Sequence, residues 1–358
     1  MTPDHWPKAS FPGQEALATL TANTRDGGPA ARHDAGMGTD QAAGQRLTTH
    51  GLYTDVRGAV APALLFLHGG PGQGCHDFMA IQGDLLGRSV RLIGIDQRGV
   101  DRSAPIPEGT TLTVADLVED FEAVRQALGI ERWAVAGQSF GGRLALRYAA
   151  AYPQHTSAVI FENPVWDLAA SSRAALEPIA AMLAERGKTE AAQAALAAAG
   201  HGDQSLDPLR EAYLVALRAL GEERESFFVP SADTRARLAQ VRAAHERPDG
   251  SAGDEGSMRH HLALMADPAS QEPVQHLLAG LQLPLRLIVG GHDPLTSPEQ
   301  REAFRSAPRG RVLEVPAAGH FVHADDPLHY ASAVSEFARS AAGDLSGPGT
   351  GQVPATGW

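Results

Sequence analysis

Six stretches of strand length along the chain are apolar almost without interruption: "ALLFLHGG" (63–70), "VRLIGIDQR" (90–98), "WAVAGQS" (133–139), "SAVIFENP" (157–164), "LRLIVGG" (285–291) and "RVLEVP" (311–316). A strand with one wet face alternates apolar and polar residues, whereas one covered on both faces does not, so these runs predict buried strands. Helical patterns such as "TVADLVEDFEAVRQALG" separate them, and the alternation predicts a mostly parallel sheet flanked by helices, an α/β architecture. "LTTHGLYTDVRGAVAP", ahead of the first run, predicts an antiparallel hairpin leading in.

The alternation stops between 166 and 280. This stretch holds helical patterns, "LEPIAAMLAERG" and "DPLREAYLVALRALG", without a buried run, which predicts a helical cap inserted between the strands near 160 and 285. Residues 46–165 and 281–340 then form the core. Residues 1–45 and 341–358 are poor in large apolar groups and read as flexible tails, and "ERPDGSAGDEGS" (246–257) reads as a mobile connection within the cap.

Composition narrows the function classes. A chain of 358 residues, 43% of them apolar, supplies a core, and its net charge of −12 offers no basic patch for nucleic acid or an anionic membrane. The expected partner is a small molecule or short peptide. Cys75, the single cysteine, can form no internal disulfide; the N-terminus lacks a secretion pattern, and no run approaches the ~20 apolar residues of a membrane span. A cytoplasmic location is expected, with neither cofactor nor metal. His260 and His261 are adjacent, point in different directions on a helix, and read as solvated residues instead of ligands.

The candidate chemistry centres on Gly137, Gln138, Ser139, Phe140 and Gly141, a G-x-S-x-G string between a buried strand and a helix expected to begin near Arg143. Such a sharp turn lifts a serine hydroxyl out of the sheet. The hydroxyl needs a base, and the base needs a group that fixes its tautomer. His320 and Asp293 follow the last two buried runs and leave the same carboxyl edge of the sheet as Ser139. His323 competes as base, Glu162 and Asp167 compete as acid, and Asp325 and Asp326 read as helix-start residues. For the oxyanion, Phe140 offers one backbone N–H and the loop His68–Gly72 another, from Gly69 or Gly70, with Gly69 favoured.

Together "HGGPG" (68–72), "DQRGVDRS" (96–103), "GQSFGG" (137–142), "GGHDPLT" (290–296) and "AGHFVH" (318–323) resemble the motif series of the α/β-hydrolase superfamily, over about residues 47–340. The first two resemble its proline iminopeptidase branch. The resemblance implies Ser139 as nucleophile, Asp293 as acid, His320 as base, Gly69 and Phe140 as oxyanion donors, and removal of N-terminal residues, often proline, from peptides and amides. The sequence departs from that branch at Asp101, where glycine is usual, and at Phe140, where tryptophan is common. No Trp-Glu pair of the kind that receives the substrate amine stands in 166–280, which leaves Glu162 as the first candidate for that role and Gly70 as a further substrate contact. Three classes follow: an iminopeptidase-like hydrolase, an ester, lactone or specialised-metabolite hydrolase or acyl transferase with the same triad, and a non-catalytic binding protein on the same fold.

Overall fold

The computed structural model describes residues 45–46, 51–200, 205–247 and 251–343. Among the described residues eight strands form one sheet: β1 (Gln45–Arg46), β2 (Tyr53–Arg57), β3 (Ala63–Leu67), β4 (Arg91–Asp96), β5 (Trp133–Gln138), β6 (Thr156–Glu162), β7 (Leu285–Gly290) and β8 (Gly310–Val315). Their order is β1-β2-β4-β3-β5-β6-β7-β8. β1 and β2 pair antiparallel, but β1 precedes the stretch 47–62 that predicts a leading hairpin and only β2 lies within it; β2 joins β4 antiparallel, and all later pairings are parallel.

The uninterrupted apolar runs have a direct structural meaning. Leu65, Ile93, Val135, Val159 and Leu287 pack into one buried cluster, while Leu64, Leu92, Ala134, Ile160 and Ile288 pack into another. Successive side chains leave a strand on opposite faces, so both faces are covered and neither position tolerates a polar residue. β8 differs from this expectation. It is the sheet's edge, and Arg311, Val312 and Glu314 are exposed.

Helices α1 (His76–Gly87), α2 (Val114–Ala127) and α3 (Phe140–Ala151) cross between the first strands. α2 opens on a capping box: the Thr113 hydroxyl accepts the Asp116 N–H while the Asp116 carboxylate accepts the Thr113 N–H. Between β6 and β7 lie α4 (Leu168–Glu185), α5 (Thr189–Gly200), α6 (Leu206–Ala219), α7 (Arg224–Phe228), α8 (Ala232–Ala243), α9 (Gly253–Ala266) and α10 (Pro268–Gln271). The first three bury their own apolar cluster around Leu176, Ile179, Leu183 and Leu209. After β7 comes α11 (Pro298–Arg305), and after β8 come α12 (Val322–Asp325) and α13 (Pro327–Gly343).

The stretch read as a mobile connection is divided: 248–250 lie outside the described residues and α9 begins at Gly253. Most of both stretches read as tails also lies outside them, although α13 runs on to Gly343.

Candidate active site

Ser139 stands between β5 and α3 with φ 54° and ψ −120°, a backbone conformation that costs energy for any residue with a side chain. Helix α3 therefore starts at Phe140, three residues earlier than Arg143. The flanking glycines are required by contact. A Cβ on Gly137 would sit 2.2 Å from the Gly141 carbonyl oxygen, and one on Gly141 would sit 2.1 Å from that of Leu67. The turn is then held by hydrogen bonds from the Ser139 N–H to Glu162 O (3.0 Å) and from the Val165 N–H to Ser139 O (3.0 Å).

Asp293 and His320 follow β7 and β8 and meet at 2.7 Å, Oδ1 to Nδ1. An ionised carboxylate can only accept, so the proton belongs on Nδ1 and Nε2 keeps its lone pair. The other Asp293 oxygen accepts the Thr296 N–H at 2.8 Å. Burial alone would raise the Asp293 pKa; the His320 charge, its hydrogen bond and the Thr296 donors outweigh that and hold it below the ordinary carboxylate value.

Gly69 presses against the same point. A Cβ there would lie 2.7 Å from Gln138 Oε1 and 2.8 Å from Ser139 Cβ, so only glycine brings this backbone up to the serine. Phe140 is the first residue of α3, where an N–H has no intrahelical acceptor. The loop behind Gly69 is fixed by His68, whose Nε2 accepts the Gln97 N–H at 3.1 Å and whose Nδ1 lies 3.0 Å from Gly69 O. Gly70 has φ +109° and faces the backbone of Gly72 and Gln73.

The competing candidates have other partners. Asp167 caps α4 through the Ala170 N–H. Asp325 accepts the Gly319 N–H at 2.8 Å, and Asp326 accepts the His329 N–H in the first turn of α13. Glu162 is 1% exposed, and its two oxygens take His323 Nδ1 at 2.8 and 3.0 Å. The structure thus pairs His323 with Glu162 and His320 with Asp293.

His260 and His261 are not solvated as expected. α9 lies over two core loops, so residues 100° apart on the helix both meet protein: His260 Nδ1 is 2.7 Å from Arg98 O and His261 Nδ1 is 3.2 Å from Pro71 O. Burial pushes the His260 pKa down to about 3. Four supports escaped the sequence reading. Gln138 Nε2 donates to His320 O, Asn163 bridges Gly290 and Gly319, Thr296 holds Asp293, and Phe228 O accepts the His320 N–H at 2.8 Å. Only Thr296 left a local signal, an Asp three residues upstream of a potential donor in "DPLT".

Comparison with known proteins identifies the family. A family model described as the alpha/beta hydrolase fold matches residues 62–327. The chain belongs to the α/β-hydrolase family. Within that family it is 45% identical over 100 residues to a proline iminopeptidase of Xylella fastidiosa, covering 28% of this chain and 31% of the relative. A proline iminopeptidase of Neisseria meningitidis is 39% identical over 100 residues, again 28% of this chain and 32% of the relative. The α/β hydrolase therefore matches about a third of the length of these curated relatives. Its fold is also similar to the crystal structure of a Mycobacterium smegmatis proline iminopeptidase (TM-score 0.62, 23% identity, 82% of this chain and 96% of that one). A proline iminopeptidase-related protein of Thermus thermophilus aligns with TM-score 0.59 and 26% identity over 81% of this chain and 93% of that one. No helix among the described residues is long and apolar enough to cross a membrane.

Proposed function

We propose that this α/β hydrolase is a serine hydrolase that cleaves the amide bond after an N-terminal residue. Ser139 attacks the carbonyl carbon as His320 Nε2 takes its proton, and Asp293 stabilises the resulting imidazolium. The N–H groups of Gly69 and Phe140 receive the oxyanion. Collapse expels the amine, which receives its proton from His320, and water then hydrolyses the acyl-enzyme by the same steps in reverse order. The observation that carries the reading is the 2.7 Å Asp293–His320 pair, delivered from the ends of β7 and β8 to the edge of the sheet where β5 turns at Ser139. Similarity to proline iminopeptidases supports an amide bond at an N-terminal residue as the substrate.

A second reading, hydrolysis of an ester, lactone or related metabolite, is favoured by Glu162. A free amine of pKa about 7.7–8.0 enters largely protonated and needs a carboxylate, because a buried unpaired charge is costly. Glu162, the first candidate for that partner, is held by His323 and closed off from solvent.

The experiment has two parts. A fluorophosphonate should label the chain at Ser139, and absence of labelling refutes the hydrolase. Prolyl and alanyl arylamides are then compared with their N-acetylated forms and with aryl esters. Preference for free amines supports the peptidase, and equal or better cleavage of blocked amides and esters replaces it with the second reading.

A further inference from the structure

At the far end of β7 and β8 from Asp293 and His320, the sheet edge and α13 enclose a cleft of about 880 Å³. Arg286, Arg309 and Arg311 line it, together with His329 and Glu336. This is an unusual concentration in a chain with 42 acidic and 30 basic residues. Arg286 and Arg311 stand opposite each other in the β7–β8 register, on one face of the sheet, where like charges repel.

Neither guanidinium forms an ion pair among the described residues. Glu336, the acid lining the cleft, already accepts the Ser332 hydroxyl at 2.8 Å. The Arg286 guanidinium lies 4.8 Å from the centre of the Phe337 ring, and its Nε is buried without a hydrogen-bond partner. Burial, and then the Arg311 charge, hold the Arg286 pKa below the ordinary arginine value, with Glu336 a partial offset. A buried donor without an acceptor is costly to keep, and a pair of unpaired guanidinium groups is the arrangement that receives a forked anion. We infer that this cleft is a binding site for a phosphate monoester, with Arg286 and Arg311 on the phosphate and Phe337, Leu313 and Pro308 against its organic part.

Two features select that ligand class. Three guanidinium groups against one carboxylate favour a dianion over a single carboxylate. The volume exceeds what inorganic phosphate fills, and Phe337 and Leu313 offer apolar surface to an attached group.

The test is calorimetric titration of the full chain with phenyl phosphate, inorganic phosphate, benzoate and benzyl alcohol. Phenyl phosphate should bind one per chain with Kd on the order of 0.1–1 mM, inorganic phosphate and benzoate about tenfold more weakly, and benzyl alcohol not measurably. Arg311→Gln, on the exposed edge, and Arg286→Gln should each weaken phenyl phosphate about tenfold, while Glu336→Gln should tighten it severalfold. Dependence on Arg311 and Arg286 separates this site from the serine. Absence of saturable binding, binding unchanged in both arginine variants, or benzoate binding as tightly as phenyl phosphate would overturn the assignment.

Discussion

Glu162 and His323 form a second buried carboxylate–imidazole pair, 2.8 Å apart, in a protein whose Asp293 and His320 form the first. The Glu162 side chain also accepts the His323 N–H at 2.9 Å, and its backbone oxygen accepts the Ser139 N–H. One residue therefore joins the turn that carries the serine to the segment that carries both histidines. Tyr330 completes its surroundings: burial first, and then the Glu162 charge and hydrogen bond, raise the tyrosine's pKa well above the ordinary value.

The two pairs should fail differently. His320→Ala removes the proposed base and should lower kcat by several orders of magnitude with little change in Tm, because the catalytic unit fails as a whole. His323→Ala leaves the buried Glu162 carboxylate without its imidazole partner, a loss of up to about 3–5 kcal/mol, so Tm should fall while the folded fraction keeps its turnover. Thermal melts beside active-site-titrated kcat measure both. A kcat loss in His323→Ala equal to that in His320→Ala would mean that the base has been misassigned.

Gly69→Ala tests the proposed oxyanion donor. The added methyl would meet Ser139 Cβ and Gln138 Oε1 at under 3 Å, and moving the loop to relieve this carries the N–H away. The expected loss in kcat is about 10²–10³-fold, comparable to removal of one oxyanion donor, with fluorophosphonate labelling slowed in parallel. Gly280→Ala, where a Cβ meets nothing within 4 Å, is the control and should leave kcat unchanged.

The contrast between these residues shows what the sequence can carry. The strands were legible because covering both faces of β3 to β7 makes their central positions apolar on both sides, with polar residues such as Arg91, Glu162 and Arg286 confined to the strand ends, and a run of that kind is local. The Ser139 turn was legible because close approach at Gly137 and Gly141 excludes any Cβ, which fixes two letters two positions either side of the serine. Partners distant in sequence left no such mark. His323 is 161 residues from Glu162, and Phe228 reaches His320 from α7, so nothing near either residue in the chain encodes the contact. His260 and His261 were misread for the same reason: their helix looks solvated until the loops at Arg98 and Pro71 are packed beneath it. β8 reads as buried because its short apolar run does not reveal that it lies at the edge of the sheet among the described residues.

Asp293→Asn tests the tautomer argument. An amide can donate to Nδ1 as well as accept from it, so the proton can settle on Nε2 and leave no acceptor for the serine hydroxyl. The expected fall in kcat is about 10⁴-fold with binding retained. The folded-state pKa of Asp293 is depressed, so the stability it contributes is present above the ordinary carboxylate value and fades as pH falls below it. The gap in unfolding free energy between wild type and variant should accordingly narrow in acid, as followed by denaturant titration from pH 7 downward.

The last prediction concerns Asp101, where the proline iminopeptidase branch usually has glycine. The backbone explains the glycine, since Asp101 has φ 46°, and the side chain explains the aspartate. Its oxygens take His245 Nε2 at 2.7 and 2.9 Å and Arg247 Nε at 2.8 Å, while Arg102 lies 3.6 Å away. His245 in turn stacks on His76, with ring centres 3.7 Å apart, so the residues after α8 are fastened to the core at this point. Burial would raise the Asp101 pKa, yet the His245 and Arg247 hydrogen bonds and the neighbouring charges lower it to about 2 from an ordinary 3.8. A depressed carboxylate pKa stabilises the fold above the unfolded value and loses that effect as pH falls from about 4 through about 2. At 1.36 kcal/mol per unit, the contribution at neutral pH is about 2 kcal/mol. Asp101→Asn keeps a residue that tolerates the left-handed backbone and removes only the charge. It should therefore lower the unfolding free energy by about 2 kcal/mol at pH 7, and the difference from wild type should shrink toward zero near pH 2. A difference that stays constant between pH 7 and pH 2 would assign the loss to packing and refute the charge-based clasp.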